Sequence, residues 1–92
     1  AHKIYKTYER KDTYMKTSEF KQKEVINIKT GKRLGAVVDF DIDSRSGRIV
    51  GILLPPAGKF TIFSKGEQDI FVPWENIRKI GDDVVLIDTP EQ

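Results

Sequence analysis

The chain lacks residues on which several kinds of protein chemistry depend. It has no cysteine among its 92 residues, which excludes a disulfide framework and any zinc site built on thiolates. The lone histidine, His2, cannot build a histidine-rich metal site or a Ser-His-Asp triad within one chain. No apolar run approaches the length of a membrane span. We therefore expect a soluble, cytoplasmic protein with no membrane span, no metal and no cofactor.

Basic charge is concentrated near the start of the chain. The formal net charge is +2, and residues 1–16 hold five basic and two acidic side chains. The remainder is nearly neutral, which disfavours a module that binds duplex nucleic acid through a basic face.

Residues 1–14 contain all three tyrosines and form a leader with no clear periodicity. One interpretation makes the leader flexible, as an added segment or the product of an alternative start before Met15. The other makes it a basic, aromatic arm that contacts RNA or a protein partner. We favour the first and expect a single domain over residues 15–92.

The stretch from Leu34 to Pro55 predicts a β-hairpin. Apolar residues occupy the even positions from 34 to 42 and aspartates the odd positions from 39 to 43, so the two sets line opposite faces of a strand. Residues 44–47 have turn chemistry, and residues 48–54 form the return strand. Pairing residue 43 with residue 48 builds one apolar face from three opposed pairs: Ile42 with Ile49, Phe40 with Gly51, and Val38 with Leu53.

The same register leaves a second apolar face on the hairpin. It carries three aliphatic residues that a fully solvated face would not need: Val50, Ile52 and Leu54. We predict that these residues bind a protein partner, most simply a second copy of the chain in a homodimer. On this register Ile52→Asp yields a folded monomer, whereas a shift of one residue would exchange the two faces.

Short patterned segments surround the hairpin. Glu75–Ile80 is predicted as a helical turn, because Ile77 and Ile80 lie three residues apart. Thr17–Phe20 is predicted as an edge segment, and further strands are predicted over residues 24–28, 59–64, 69–74 and 83–88. Six or seven short strands with one short helical turn predict an all-β fold, a small antiparallel barrel or sandwich.

The regularly spaced aspartates do not predict a metal site. Asp39, Asp41 and Asp43 match the start of an EF-hand calcium loop, but Ser44 and Val50 stand where that loop needs glycine and glutamate. On a strand, successive carboxylates of this set lie about 6–7 Å apart, too far for one ion to be held by all three. We expect a solvated acidic face.

No residue set predicts catalysis. Asp82 and Asp83 beside Gly81 are explained by turn formation, and Trp74 is expected in the core. The chain offers no nucleophile–base pair and no glycine-rich phosphate loop, so an enzyme is not expected, nor is a small-molecule substrate.

A basic cluster surrounds the turn at Thr30-Gly31. It consists of Lys29, Lys32 and Arg33. Glycine flanked by lysine occurs in phosphate-binding loops, but the spacing of a P-loop is absent and no helix follows. A solvated hairpin tip is favoured, and nucleic-acid contact by the three residues is the alternative.

Two stretches of the chain resemble the PRC-barrel family. The first runs from Gly31 to Asp39 and continues at Gly47–Ile52, and the second is Ile70–Ile87, with the pattern V-P-W-x-x-I-x-x-I-G-x-D. The resemblance implies a small PRC-type β-barrel that binds proteins and has no catalytic residues. Within the family, the chain resembles the stand-alone, single-domain branch that is associated with sporulation in spore-forming bacteria.

We therefore predict a non-enzymatic adaptor that associates with proteins. The alternative is an RNA- or ribosome-associated module similar to the barrel domain of the ribosome maturation factor RimM. The chain has no room for the second domain of that factor, which disfavours the alternative.

Overall fold

The computed structural model describes residues 7–56 and 69–90. Within them, strands predominate, which confirms the predicted all-β class. The predicted strand over residues 59–64 lies outside the described residues. In chain order the elements are α1 (Thr17–Phe20), β1 (Glu24–Asn27), β2 (Arg33–Ala36), β3 (Asp39–Ile42), β4 (Ile49–Leu54), β5 (Ile70–Pro73), a 3₁₀ turn (Trp74–Asn76), β6 (Ile77–Ile80) and β7 (Val84–Ile87).

The seven strands of the described residues form two sheets. One has four strands in the order β2-β1-β7-β6, and the other has three in the order β3-β4-β5. β1 and β7 pair in parallel, whereas all other described pairs are antiparallel. The expectation of a wholly antiparallel fold is wrong at this pair. A parallel pair needs a long connection, and here the connection contains the entire three-stranded sheet.

The core lies between the two sheets. Its fully or nearly fully buried residues come from both sheets, from α1 and from the link between β2 and β3: Phe20, Val25, Val37, Ile52, Leu54, Val72, Val85 and Ile87. Trp74 packs against this cluster as expected, with its ring centroid 5.8 Å from that of Phe20 and 6.5 Å from that of Phe40. Such aromatic pairs add to the stability gained by burial alone.

The helical segments differ from the prediction. Thr17–Phe20 is one turn of helix, not an edge segment, and the side-chain oxygen of Glu19 accepts the Lys16 N–H at 2.8 Å at its start. The turn predicted at 75–80 is helical only at its start: the 3₁₀ turn covers Trp74–Asn76, and the strand β6 follows from Ile77. None of the helical segments described in the structure could cross a membrane.

Strand β6 explains the isoleucine spacing that predicted a helix. Ile77 pairs with Ile87 and Ile80 pairs with Val85, and a bulge at Arg78 interrupts the register between them. Because the bulge inserts one residue, both isoleucines lie on the face that carries the buried residues of β7, although they are three apart. A spacing of three residues therefore arose here from a bulged strand.

Candidate protein-interaction surface

The central hairpin pairs as predicted next to its turn. Ile42 lies opposite Ile49, and the backbone N–H of Asp43 donates to the carbonyl of Arg48 at 2.8 Å. The register then shifts between Asp41 and Ile42, which leaves Val50 on β4 as an extra residue. An extra residue of this kind is a β-bulge, and it bends and twists its strand.

Beyond the bulge, the register differs from the predicted one by a single residue. Asp41 lies opposite Gly51, and Phe40 lies opposite Ile52. The predicted pairing of Phe40 with Gly51 is therefore wrong. Because successive residues of a strand point to opposite faces, this shift exchanges the inner and outer faces for the rest of β4.

The predicted interface of Val50, Ile52 and Leu54 is consequently wrong as an exposed face. Ile52 and Leu54 are 0% exposed and belong to the core, whereas Val50, at the bulge, is 39% exposed. The bulge is the physical reason, since it turns the side chains of Ile52 and Leu54 inward. Of the three residues, only Val50 is available to a partner.

The outer face of the three-stranded sheet carries a different set of residues, which we call the acidic face: Asp39, Asp41, Leu53 and Phe71. Leu53 lies opposite Asp39 on one side and opposite Phe71 on the other, so these three side chains form a row across β3, β4 and β5. Phe71 is 43% exposed, and Leu53 is half-buried between its neighbours. An exposed aromatic ring beside a leucine, bordered by two carboxylates, matches the apolar centre and polar rim of protein interfaces.

Gly51 fixes the position of Phe71. A Cβ atom placed on Gly51 would lie 2.5 Å from Cε1 of Phe71 and 2.4 Å from the carbonyl oxygen of Val72. The ring therefore lies directly across the glycine, where any other residue would displace it. Aromatic side chains commonly cover a strand glycine in this way.

The three aspartates of the hairpin have different surroundings. The side chain of Asp43 belongs to the turn, where its Oδ1 accepts the Arg45 N–H at 2.9 Å. Asp39 and Asp41 are exposed on the acidic face, and neither forms a salt bridge among the described residues. No group of carboxylates in the described part of the chain is placed to hold a metal ion.

The basic cluster predicted at the first turn is exposed, but its members have different environments. Lys29 Nζ lies 3.6 Å from a carboxylate oxygen of Asp88, and Arg78 Nε lies 3.3 Å from the other oxygen of that carboxylate. Lys32 and Arg33 form no ion pair among the described residues. Arg78 is absent from the predicted basic cluster, because nothing in the local pattern shows that β6 and β7 bring it to Asp88.

The outer face of the four-stranded sheet contains a row that crosses all four strands. Ile26 lies opposite Arg33 and Leu86, and Leu86 lies opposite Lys79. Paired residues share a face, so the row has a basic residue at each end and two aliphatic residues between them. We call Arg33, Ile26, Leu86 and Lys79 the basic face. Ile28, the next residue after β1, is 50% exposed.

An apolar groove lies beside α1. It has a volume of about 240 Å³, and its lining includes Met15, Phe40, Ile49, Trp74 and Ile80. Nearby, Arg10 and Glu19 form an exposed ion pair at 2.7 Å. The Lys16 N–H and then Arg10 hold the pKa of Glu19 below its usual value, and Glu19 raises the pKa of Arg10.

Comparison with known proteins gives one family and several relatives. The model of the PRC-barrel domain family matches residues 12–92. A "Probable sporulation protein YlmC" from Bacillus subtilis is 44% identical over 70 residues, which cover 76% of this chain and 86% of that protein. The "Uncharacterized protein YmxH" of the same organism is 39% identical over 80 residues, 85% of this chain and 93% of that protein.

A third relative comes from another bacterium. The "Uncharacterized protein CA_C1697" of Clostridium acetobutylicum is 43% identical over 67 residues, which cover 73% of this chain and 76% of that protein. The matches extend over most of the chain in all three relatives.

Proposed function

The chain belongs to the PRC-barrel family, and from that membership we propose that it is a non-catalytic protein-interaction module that acts in sporulation. The membership confirms the resemblance found in the sequence. Sporulation enters from the printed name of one relative, "Probable sporulation protein YlmC". The site of interaction is the acidic face of the three-stranded sheet.

One observation carries this proposal: Phe71 is 43% exposed although its ring lies across Gly51 at the centre of a sheet face. Exposed aromatic rings held rigidly against a scaffold are favoured contacts in protein interfaces, because little side-chain freedom is lost on binding. Leu53 extends the apolar surface beside the ring, and Asp39 and Asp41 border it with negative charge. The partner therefore has an apolar surface with basic residues next to it.

Crosslinking in the cell tests the proposal. Phe71 is replaced by the photoreactive residue benzoylphenylalanine, and the cells are irradiated during growth and during sporulation. We expect a covalent adduct with another polypeptide that forms at position 71. The matched control is the same replacement at Tyr14, which is also an exposed aromatic residue, 51% exposed, but lies outside the acidic face.

A further variant and two contrary results sharpen this test. Adding Asp39→Lys and Asp41→Lys to the crosslinking variant is expected to remove the adduct, because the basic partner is then repelled. An absence of any adduct at position 71, or an equal yield of the same adduct at position 14, would refute the acidic face as the binding surface.

The RNA-associated alternative receives less support from the geometry. It depends on Lys29, Lys32 and Arg33, and Lys29 is already close to Asp88. A surface that binds phosphates needs several basic groups that are free to release counterions together. We therefore do not propose RNA binding as a function.

A further inference from the structure

The two outer faces of the domain carry opposite charge. The core contains residues of both sheets, so it separates the two faces and they point away from each other. The acidic face has two aspartates beside Leu53 and Phe71. The basic face has Arg33 and Lys79 at the ends of a row that contains Ile26 and Leu86.

The basic face has a surplus of positive charge. Lys29 and Arg78 also reach this face, where both lie close to Asp88, and Glu24 lies on it opposite Val84. The basic face therefore has four basic side chains and two acidic ones. Arg33 and Lys79 are exposed and form no ion pair among the described residues, so their charge is available to a partner.

The apolar parts of the two faces also match in kind. Ile26 and Leu86 are half-buried at the centre of the basic face, with Ile28 50% exposed beside them. Leu53 and the ring of Phe71 occupy the corresponding position on the acidic face. Each face therefore consists of an aliphatic or aromatic centre with a surplus of one sign of charge at its side.

We propose that the acidic face of one copy of this chain binds the basic face of a second copy. The inference rests on the proposed function, because the acidic face is the binding surface in both. Opposite charges favour this orientation and speed the encounter, and contact between the apolar centres removes them from water. The partner with an apolar, basic surface is thus the protein itself.

This arrangement is head to tail and has no two-fold axis. A symmetric contact through this face would bring Asp39 and Asp41 of both copies into one interface, and like charges that meet in an interface are unfavourable. Because the two faces lie on opposite sides of the core, a single partner cannot cover both. Each added copy leaves one face of each kind free, so association continues into a ring or a chain. The proposed assembly therefore differs from the predicted homodimer.

Charge reversal on each face tests the inference. The first variant carries Asp39→Lys and Asp41→Lys, and the second carries Arg33→Glu and Lys79→Glu. All four positions are exposed, so both variants should keep the fold, which circular dichroism checks. The control variant, Lys11→Glu with Lys21→Glu, changes the net charge as much as the second variant does but alters neither face.

Sedimentation velocity over a range of concentrations supplies the measurement. We expect the wild type and the control to reach at least double the monomer mass at about 0.05 M salt and to dissociate at about 0.5 M. Each reversed variant should remain monomeric alone. An equimolar mixture of the two should associate again, because the lysines of one then meet the glutamates of the other.

Three results would overturn the inference. A wild type that is monomeric at all concentrations would do so, as would reversed variants that associate like the wild type, or a mixture that stays monomeric. Binding of a labelled single-stranded RNA by monomeric wild type, lost on Arg33→Glu with Lys79→Glu, would instead assign the basic face to RNA. A crosslink from position 71 to a different polypeptide would leave the proposed function standing in each of these cases.

Discussion

The two sheets cover the same core, but different interactions hold their strands in place. The three-stranded sheet depends on apolar packing: Ile52 and Val72 pair inward, and Phe71 covers Gly51 on the outside. The four-stranded sheet joins segments that are far apart in the chain, and polar side chains hold its strand ends. The comparison teaches that apolar packing holds strands that are neighbours in sequence, whereas side-chain hydrogen bonds fasten strands that are far apart in the chain.

Asn27 is the clearest of these polar contacts. It is 0% exposed, and its Nδ2 donates to the carbonyl of Thr89 at 2.9 Å, although 62 residues separate the two. Its Oδ1 accepts the N–H of Lys29 at 3.0 Å. Asn76 Nδ2 donates to the Asp88 carbonyl at 2.6 Å, and at the opposite end Lys23 Nζ donates to the carbonyl of Asp82. Together they fix β1 and β6 to the ends of β7.

The largest effect is expected from a charge in the core of the three-stranded sheet. Ile52→Asp places an unpaired carboxylate at a position that is 0% exposed, at a cost of more than about 4 kcal/mol. A domain of this size has a total stability of about 5–10 kcal/mol, so the variant should lose a large part of it and melt at a much lower temperature by circular dichroism. The control Val50→Asp, at the bulge, should change stability by less than about 0.5 kcal/mol. Equal stability of the two variants would contradict the bulged register.

The polar attachment of the four-stranded sheet should give the next largest effect. Asn27→Ala leaves the buried carbonyl of Thr89 and the part-buried N–H of Lys29 without their partner, at a cost of about 3 kcal/mol in the free energy of unfolding. Urea denaturation measures this loss. Thr89→Val removes only the weaker contact of Asn27 with the hydroxyl, at 3.3 Å, and should cost about 1 kcal/mol. A smaller loss for Asn27→Ala than for Thr89→Val would show that the amide does not hold the two segments together.

A methyl group on Gly51 tests how tightly the three-stranded sheet is packed. Gly51→Ala should cost about 2 kcal/mol by urea denaturation, since the Val72 carbonyl belongs to a neighbouring strand and cannot move aside. Adding Phe71→Ala to the Gly51→Ala variant removes the ring and should restore only part of the lost stability. The control Gly81→Ala, where the nearest atom would be 3.3 Å away on a side chain, should be close to neutral. Complete rescue by Phe71→Ala would mean that the ring alone limits the space.

The smallest effect concerns the ion pair outside both sheets. The pKa of Glu19 is lowered, first by the Lys16 N–H and then by Arg10. A carboxylate with a lowered folded pKa contributes stability above its unfolded pKa of about 4.3 and loses it as the pH falls through the folded value. The melting temperature of Glu19→Gln should therefore lie slightly below that of the wild type at about pH 7, and the difference should shrink as the pH falls below about 4.3. A difference that persists in acid would assign it to packing.

The sequence predicted the local parts of the fold well. Alternation and turn chemistry located the hairpin and, within the predicted segment 69–74, the strand Ile70–Pro73, because those signals come from neighbouring residues. The bulge at Val50 could not be predicted, since β4 is apolar on both faces over IVGILL and the pattern does not distinguish one register from the next. A bulge also explains the wrong prediction at Ile77 and Ile80, because it gave a strand the three-residue spacing of a helical turn.

The candidate site was less predictable than the fold. A shift of one residue placed Leu53 on the outer face in place of Ile52 and Leu54, although Val50 stayed exposed. The basic face needed the pairing of β1 with β7, and no local pattern encodes a contact between such distant segments. Asp39 and Asp41 were correctly expected to be exposed, because alternation with apolar residues places them opposite the core.

The parallel pairing of β1 with β7 bears on how the chain acquires its structure during synthesis. β1 leaves the ribosome early, whereas β7 is translated after the whole of the three-stranded sheet. During that interval Val25 has no neighbouring strand on one side, and an uncovered strand edge is prone to pair with the wrong partner. The hairpin of β3 and β4 forms from adjacent segments and can fold first. The last strand therefore acts as a latch, and a nascent chain interrupted before Ile87 would keep an open edge.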